Sequence, residues 1–97
     1  MGIENIILSM DKDGLIYSGR GYMYRVNVPS VDVRSTVGAR DSTLAGFIYG
    51  VQNGHSLIDC AKLAAAFGTA SVMSEGTVPP TVQNVQRVLQ DTSAVKL

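Results

Sequence analysis

The chain has 97 residues, 45% of them hydrophobic and 16% charged, and eight Lys plus Arg balance eight Asp plus Glu to a formal net charge of zero. That length holds one small domain. The neutral balance excludes a broad basic field for nucleic acid or anionic lipid, and the apolar content excludes a disordered chain. The longest apolar runs, such as Ile6-Ile7-Leu8, are far too short to cross a bilayer. No signal-peptide pattern opens the chain, because Met1 to Met10 carries Glu4 and Asn5 where a basic end and an apolar stretch belong. The single Cys60 leaves no internal disulfide to form. A soluble, cytoplasmic protein without nucleic-acid or membrane partners is the expectation.

In chain order, Asn5-Ile6-Ile7-Leu8-Ser9 is a continuous apolar run, which predicts a central strand buried on both faces with parallel neighbours. Asp11-Lys12-Asp13-Gly14 breaks it. Leu15-Ile16-Tyr17, the turn residues Ser18-Gly19-Arg20-Gly21 and the alternating Tyr22 to Val28 then predict a hairpin, so strand and hairpin occupy 5–28. A helix over about 39–53 follows from Leu44, Phe47, Ile48 and Val51 at i, i+3, i+4 and i+7. Gly46 and Gly50 lie on another face, where a second backbone can come close, and Gly54 suits the C-terminal cap. This helix is expected to pack on more than one side. Ser56 caps a second, alanine-rich helix over 56–73. Pro79-Pro80-Thr81 opens a third over 81–91, with Val82, Val85, Val88 and Leu89 as its stripe.

Strands followed by helices suggest an α+β domain. A strand of the two-sided kind at the start argues instead for an α/β sheet with helices over both faces, more structure than the chain contains. The sequence therefore looks like the end of something larger.

The chemistry concentrates between Ser35 and Ile48. A glycine turn that opens a helix directs successive backbone N–H groups at one point, where they can hold the charge of a transferring phosphoryl group. A carboxylate beside them can accept a hydroxyl proton. The segment Ser35-Thr36-Val37-Gly38-Ala39-Arg40-Asp41-Ser42-Thr43-Leu44-Ala45-Gly46-Phe47-Ile48 resembles the second signature of the PfkB (ribokinase-like) carbohydrate kinases, whose core is a Thr-x-Gly-Ala-Gly-Asp turn. Leu8-Ser9-Met10-Asp11-Lys12-Asp13-Gly14 is similar to that family's nucleotide loop. Leu63 to Ala70 is similar to the helix that walls its adenine pocket, and Ser74-Glu75-Gly76-Thr77 to the loop that closes its site.

The resemblance covers essentially the whole chain. It implies the C-terminal portion of a ribokinase-like, Rossmann-type α/β fold, a central strand, a β-hairpin and three helices, nearest to the 1-phosphofructokinase and tagatose-6-phosphate kinase branches. It implies Asp41 as catalytic base, the amides of Gly38, Ala39, Arg40 and Asp41 as anion hole, and a nucleotide site with Ser9, Asp11, Gly14, Ala65 and Thr69. ATP and Mg²⁺ are the implied cofactors, and a monovalent cation, usually potassium, is implied near Ser35, Val37, Ser71, Ser74 and Gly76. Arg40 stands where the family pattern has glycine, and Asp11 where its loop has glycine; both put a side chain near the expected nucleotide. The family's sugar-binding residues lie upstream of anything present, so the isolated chain is expected to be inactive, and its unpaired strand edges and uncovered helix faces to make it a homo-oligomer. The alternative is a non-catalytic chain that only self-associates or docks to a partner.

Plainer readings stand beside these. Asp41 also suits the positive end of a helix dipole, and Asp11 to Gly14 is an ordinary hairpin turn. His55 has no metal-ligand neighbours at useful spacing. Cys60 packs as a small hydrophobe. Tyr17, Tyr22 and Tyr24 suit hairpin packing better than a stacking platform for bases.

Overall fold

The computed structural model describes residues 7–11, 14–19, 22–31, 34, 38–73 and 81–96, with backbone alone at 7–11, 19 and 22. Strands β1 (Ile7–Asp11), β2 (Gly14–Gly19) and β3 (Tyr22–Asn27) run as a meander. Helices α1 (Ala39–Gln52), α2 (Leu57–Val72) and α3 (Val82–Gln90) follow, and β4 (Ser93–Lys96) returns to the sheet beside β3. The strand order is β1-β2-β3-β4, and every pairing is antiparallel.

Register decides which side chains meet the helices. Leu15 faces Val26, which faces Ala94 across the next pair, and Tyr17 faces Tyr24. Because side chains alternate along strands, these residues share one face. They close over Phe47 of α1 and Cys60, Ala61, Ala64 and Ala65 of α2 to form the main core. Tyr17 stacks on Tyr24 at 6.2 Å between ring centres and tilts against Phe47 at 6.1 Å. A smaller core joins Ala66 and Ala70 of α2 to Val85 and Val88 of α3. The alanines let α2 lie close to sheet and helices at once, and ten of its residues are buried.

The caps work as the sequence predicts. The Ser56 hydroxyl accepts from the Asp59 amide at 3.2 Å and the Thr81 hydroxyl from the Asn84 amide at 3.1 Å, each satisfying an amide that the helix leaves free. Gly54, at φ 75°, takes the left-handed conformation that ends α1.

β1 joins β2 through two residues between the paired Asp11 and Gly14, a connection that serves antiparallel strands only. Two features differ from expectation. β4 was not predicted, and Ser93-Ala94-Val95-Lys96 is too short and mixed to stand out. On α1, Leu44, Ile48 and Val51 are exposed while Thr43, Gly46, Phe47 and Gly50 are buried, so this helix packs on one side and that side is the glycine face.

Candidate functional site

The start of α1 is built by one residue. Gly38 holds φ 81° and ψ −1°, the left-handed region, where a Cβ costs energy. A Cβ there would meet nothing within 4 Å, so the glycine serves the dihedral and not space. The first intrahelical bond is donated by the Ser42 amide to the Gly38 carbonyl at 2.9 Å. The amides of Ala39, Arg40 and Asp41 thus precede the ladder and lie at the positive end of the helix dipole. Among the described residues no side chain caps this end. The Thr43 hydroxyl instead donates back to the Ala39 carbonyl at 2.9 Å. Arg40 and Asp41 are both exposed in the first turn. Asp41 is favoured there by the dipole, whereas Arg40 is opposed by it.

The residues expected at a nucleotide site fall on two elements. Ser9 pairs with Ile16, and Asp11 with Gly14, across the β1–β2 turn. Gly14 has φ 142°, and a Cβ on it would run into the Val26 carbonyl oxygen, so this glycine is required by sheet packing whatever else it does. Ala65 is fully buried in the cluster that contains Leu15, the neighbour of Gly14; the core thereby ties α2 to the start of β2. Thr69, one turn further along α2, is only 3% exposed, and its hydroxyl has no hydrogen-bond partner among the described residues. A buried unpaired hydroxyl is costly. Ser71 is buried at the end of α2, while Ser35, Val37, Ser74 and Gly76 lie outside the described residues.

Two grooves open elsewhere. One of about 490 Å³ lies between α1, α2 and α3, lined by apolar residues such as Leu63, Phe67 and Leu89 together with His55, Asp59 and Lys62. One of about 340 Å³ lies beside Arg34 and Arg87. Neither is lined by Asp41, Ala65 or Thr69, and no sequence signal singled them out. Among the described residues no group of three His, Cys, Asp or Glu side chains is placed to hold a metal ion, and no helix is long and apolar enough to cross a membrane. The Cys60 thiol is buried and donates weakly to the His55 carbonyl at 3.7 Å. Burial pushes its pKa up, and the Asp59 carboxylate adds to the shift.

Comparison with known proteins matches residues 1–84 to the pfkB family of carbohydrate kinases. The chain is 44% identical over 73 residues to the 1-phosphofructokinase of Borreliella burgdorferi, covering 74% of this chain and 24% of that protein. It is 32% identical over 96 residues to the 1-phosphofructokinase of Bacillus subtilis, covering 99% of this chain and 31% of that one. Among solved structures, a Staphylococcus aureus protein assigned as a phosphofructokinase superposes with a TM-score of 0.88 at 28% identity, over 95% of this chain and 30% of the other. The Escherichia coli phosphofructokinase-2, crystallised with potassium, does so at 0.76 and 24% identity, over 81% and 26%. The chain thus spans about a quarter to a third of the length of the relatives it matches. Its fold is that of the ribokinase-like phosphofructokinases.

Proposed function

Because the chain belongs to the pfkB family of carbohydrate kinases, we propose that its part in that family's chemistry is phosphoryl transfer from ATP to a phosphosugar hydroxyl, with 1-phosphofructokinase and tagatose-6-phosphate kinase as the nearest activities. The observation that carries the reading is the start of α1. Three amides that precede the helical ladder, at the left-handed Gly38 turn, share the first turn of α1 with the exposed Asp41. Asp41 accepts the proton of the attacking hydroxyl, while the amides of Gly38, Ala39, Arg40 and Asp41 hold the charge on the phosphoryl group in flight. Transfer makes the bond from acceptor oxygen to phosphorus, breaks the bond to the ADP oxygen and leaves the proton on Asp41.

The β1–β2 turn with Ser9, Asp11 and Gly14, together with Ala65 and Thr69, makes the nucleotide side of this proposal. The unpaired Thr69 hydroxyl fits it, since a buried donor wants a polar partner. Mg²⁺ arrives with the phosphates and needs few protein ligands of its own. A monovalent cation is proposed near Ser71, with Ser35, Val37, Ser74 and Gly76. The setting proposed is cytoplasmic, and the assembly a homo-oligomer.

The second reading, a chain without catalysis that only self-associates or docks, is favoured by the exposed Leu44, Ile48 and Val51. Thermal melts separate the two. Millimolar ATP with Mg²⁺ raises Tm if the nucleotide site is intact, since a ligand at about 100 times its Kd adds about 2.7 kcal/mol. Asp41→Asn keeps that rise and Thr69→Val reduces it. No rise at any ATP concentration overturns the nucleotide reading. The isolated chain is expected to show no turnover of fructose 1-phosphate, fructose 6-phosphate or tagatose 6-phosphate, because nothing assigned in it positions the acceptor; turnover lost on Asp41→Asn would overturn that expectation.

A further inference from the structure

The groove between α1, α2 and α3 takes no part in the chemistry proposed for the start of α1, since Asp41, Ala65 and Thr69 do not line it. Its volume of about 490 Å³ suits a small molecule and not a protein partner. Tyr49 of α1 and Phe67 of α2 both line it, with ring centres 5.9 Å apart and planes inclined by 35°. A third aromatic ring can join such a pair edge to face. Leu63 of α2 and Val85 and Leu89 of α3 add to the apolar lining.

Two opposite charges line the same groove. Asp59 and Lys62 stand three residues apart on α2, which puts their Cβ atoms about 5–6 Å from each other on one helix face. Among the described residues no ion pair joins them. A ligand with a single charge meets one of the two as an opponent, because a carboxylate is repelled by Asp59 and an ammonium by Lys62. Filling the groove then desolvates the charge that is left unpaired, which is costly. A ligand that carries a carboxylate and an ammonium on one carbon satisfies both, each through a charge-assisted hydrogen bond. The phosphates of a nucleotide bring several negative charges and no positive one, so the same pair disfavours them.

We propose that this groove binds a free aromatic α-amino acid, with its carboxylate on Lys62, its ammonium on Asp59 and its ring beside Tyr49 and Phe67. The rings select the aromatic body, and the Asp59–Lys62 spacing selects the zwitterion. The site is separate from the phosphoryl-transfer reading and does not depend on it.

The test titrates the isotope-labelled chain with L-phenylalanine, with phenylpropionate, which lacks the ammonium, and with phenethylamine, which lacks the carboxylate, and follows the amide resonances. L-Phenylalanine is expected to bind with a Kd of about 1 mM or tighter and each one-charge analogue at least about tenfold more weakly. The amides of Lys62, Phe67 and Leu89 are expected to move while those of Asp41 and Thr69 hold. Lys62→Gln and Asp59→Asn are each expected to weaken L-phenylalanine at least about tenfold with unchanged circular dichroism. Each also loses one preference: Lys62→Gln takes phenethylamine at least as well as the amino acid, and Asp59→Asn does so for phenylpropionate. Leu44→Gln, on the outer side of α1 and away from the groove, keeps the wild-type affinity. No movement with L-phenylalanine overturns the proposal, as do equal affinities for the three probes or binding indifferent to Lys62→Gln. Tighter binding of phenylpropionate than of L-phenylalanine gives the groove to apolar anions and overturns it too.

Discussion

Along α1 the two sides of one helix are made of opposite material. Toward α2 it presents Thr43, Gly46, Phe47 and Gly50, all buried; away from α2 it presents Leu44, Ile48 and Val51, all exposed. Patterning by hydrophobicity assigns the faces the other way round, since an aliphatic stripe normally marks the core side. Close approach of two backbones explains the inversion. Gly46 lets the Leu63 carbonyl and the Phe67 ring lie where a side chain would be, and Gly50 does the same for Cys60. A face of glycines gains dispersion from the backbone atoms it meets, so small residues can mark a buried face as firmly as large ones. The aliphatic face is then available to something other than this chain's own core.

Gly46→Ala is the strongest way to break this contrast. The added methyl would lie 2.6 Å from a carbonyl oxygen and 2.8 and 2.9 Å from ring and side-chain carbons of Phe67. The ring can turn, but the carbonyl belongs to α2 and cannot. Overpacking of this kind costs about 1–3 kcal/mol and sometimes more, against about 1 kcal/mol gained from helix propensity. With the carbonyl fixed, the upper end of that range applies, and a net loss of about 2 kcal/mol in urea melts is expected. A gain in stability would mean that α1 and α2 are not held at this distance.

Gly50→Ala sharpens the same point at a softer contact. Its nearest neighbours would be the Cys60 sulfur at 2.8 Å and the Cys60 Cα at 3.0 Å. After the same propensity gain a net loss of about 1 kcal/mol is expected, of which Cys60→Ala in the same chain restores part, leaving a coupling of about 0.5–1 kcal/mol in a double-mutant cycle. Additive losses would place the strain elsewhere.

The Cys60 thiol at this contact also gives the packed face a pH signature. Burial, with the Asp59 carboxylate adding, holds its folded pKa above the ordinary thiol value, so the neutral thiol is favoured in the folded chain. Its contribution to stability is complete below the unfolded thiol pKa, about 8.5, and is lost as pH rises through the folded pKa. Stability measured at neutral and at alkaline pH therefore falls more steeply in the wild-type chain than in Cys60→Ala. Equal slopes would show that the thiol is not confined between the helices.

The contrast also explains what could be read from the sequence. Helix ends were legible, because Ser56, Thr81 and Gly54 act through local geometry that one sequence position determines. The turn that opens α1 was legible for the same reason: Gly38 in the left-handed region is a local requirement, and Asp41 follows it by spacing. What was misread depends on neighbours. The inward face of α1 depends on α2 coming close, and β4 depends on β3 lying open to receive it. The nucleotide side is mixed. Ala65 and Thr69 both lie on α2 and are buried in this structure; burial follows from the alanine content of the helix for Ala65, whereas no local signal marks it for Thr69.

Ile48→Gln, on the outer face, is expected to have the smallest effect and separates two explanations of that face. If the stripe faces water in the isolated chain, the substitution removes almost no buried surface and keeps a good helix former, so stability changes by no more than about 0.5 kcal/mol. If instead two chains already cover each other's stripes, Ile48 is buried in the assembly. The same substitution then costs about 1–3 kcal/mol per chain, and the wild-type Tm rises with protein concentration because association is linked to folding. Melts of both chains over a hundredfold dilution series distinguish the cases. A flat wild-type Tm with an unchanged variant leaves the stripe uncovered in the isolated chain, and the glycine face of α1 as the side that holds it in place.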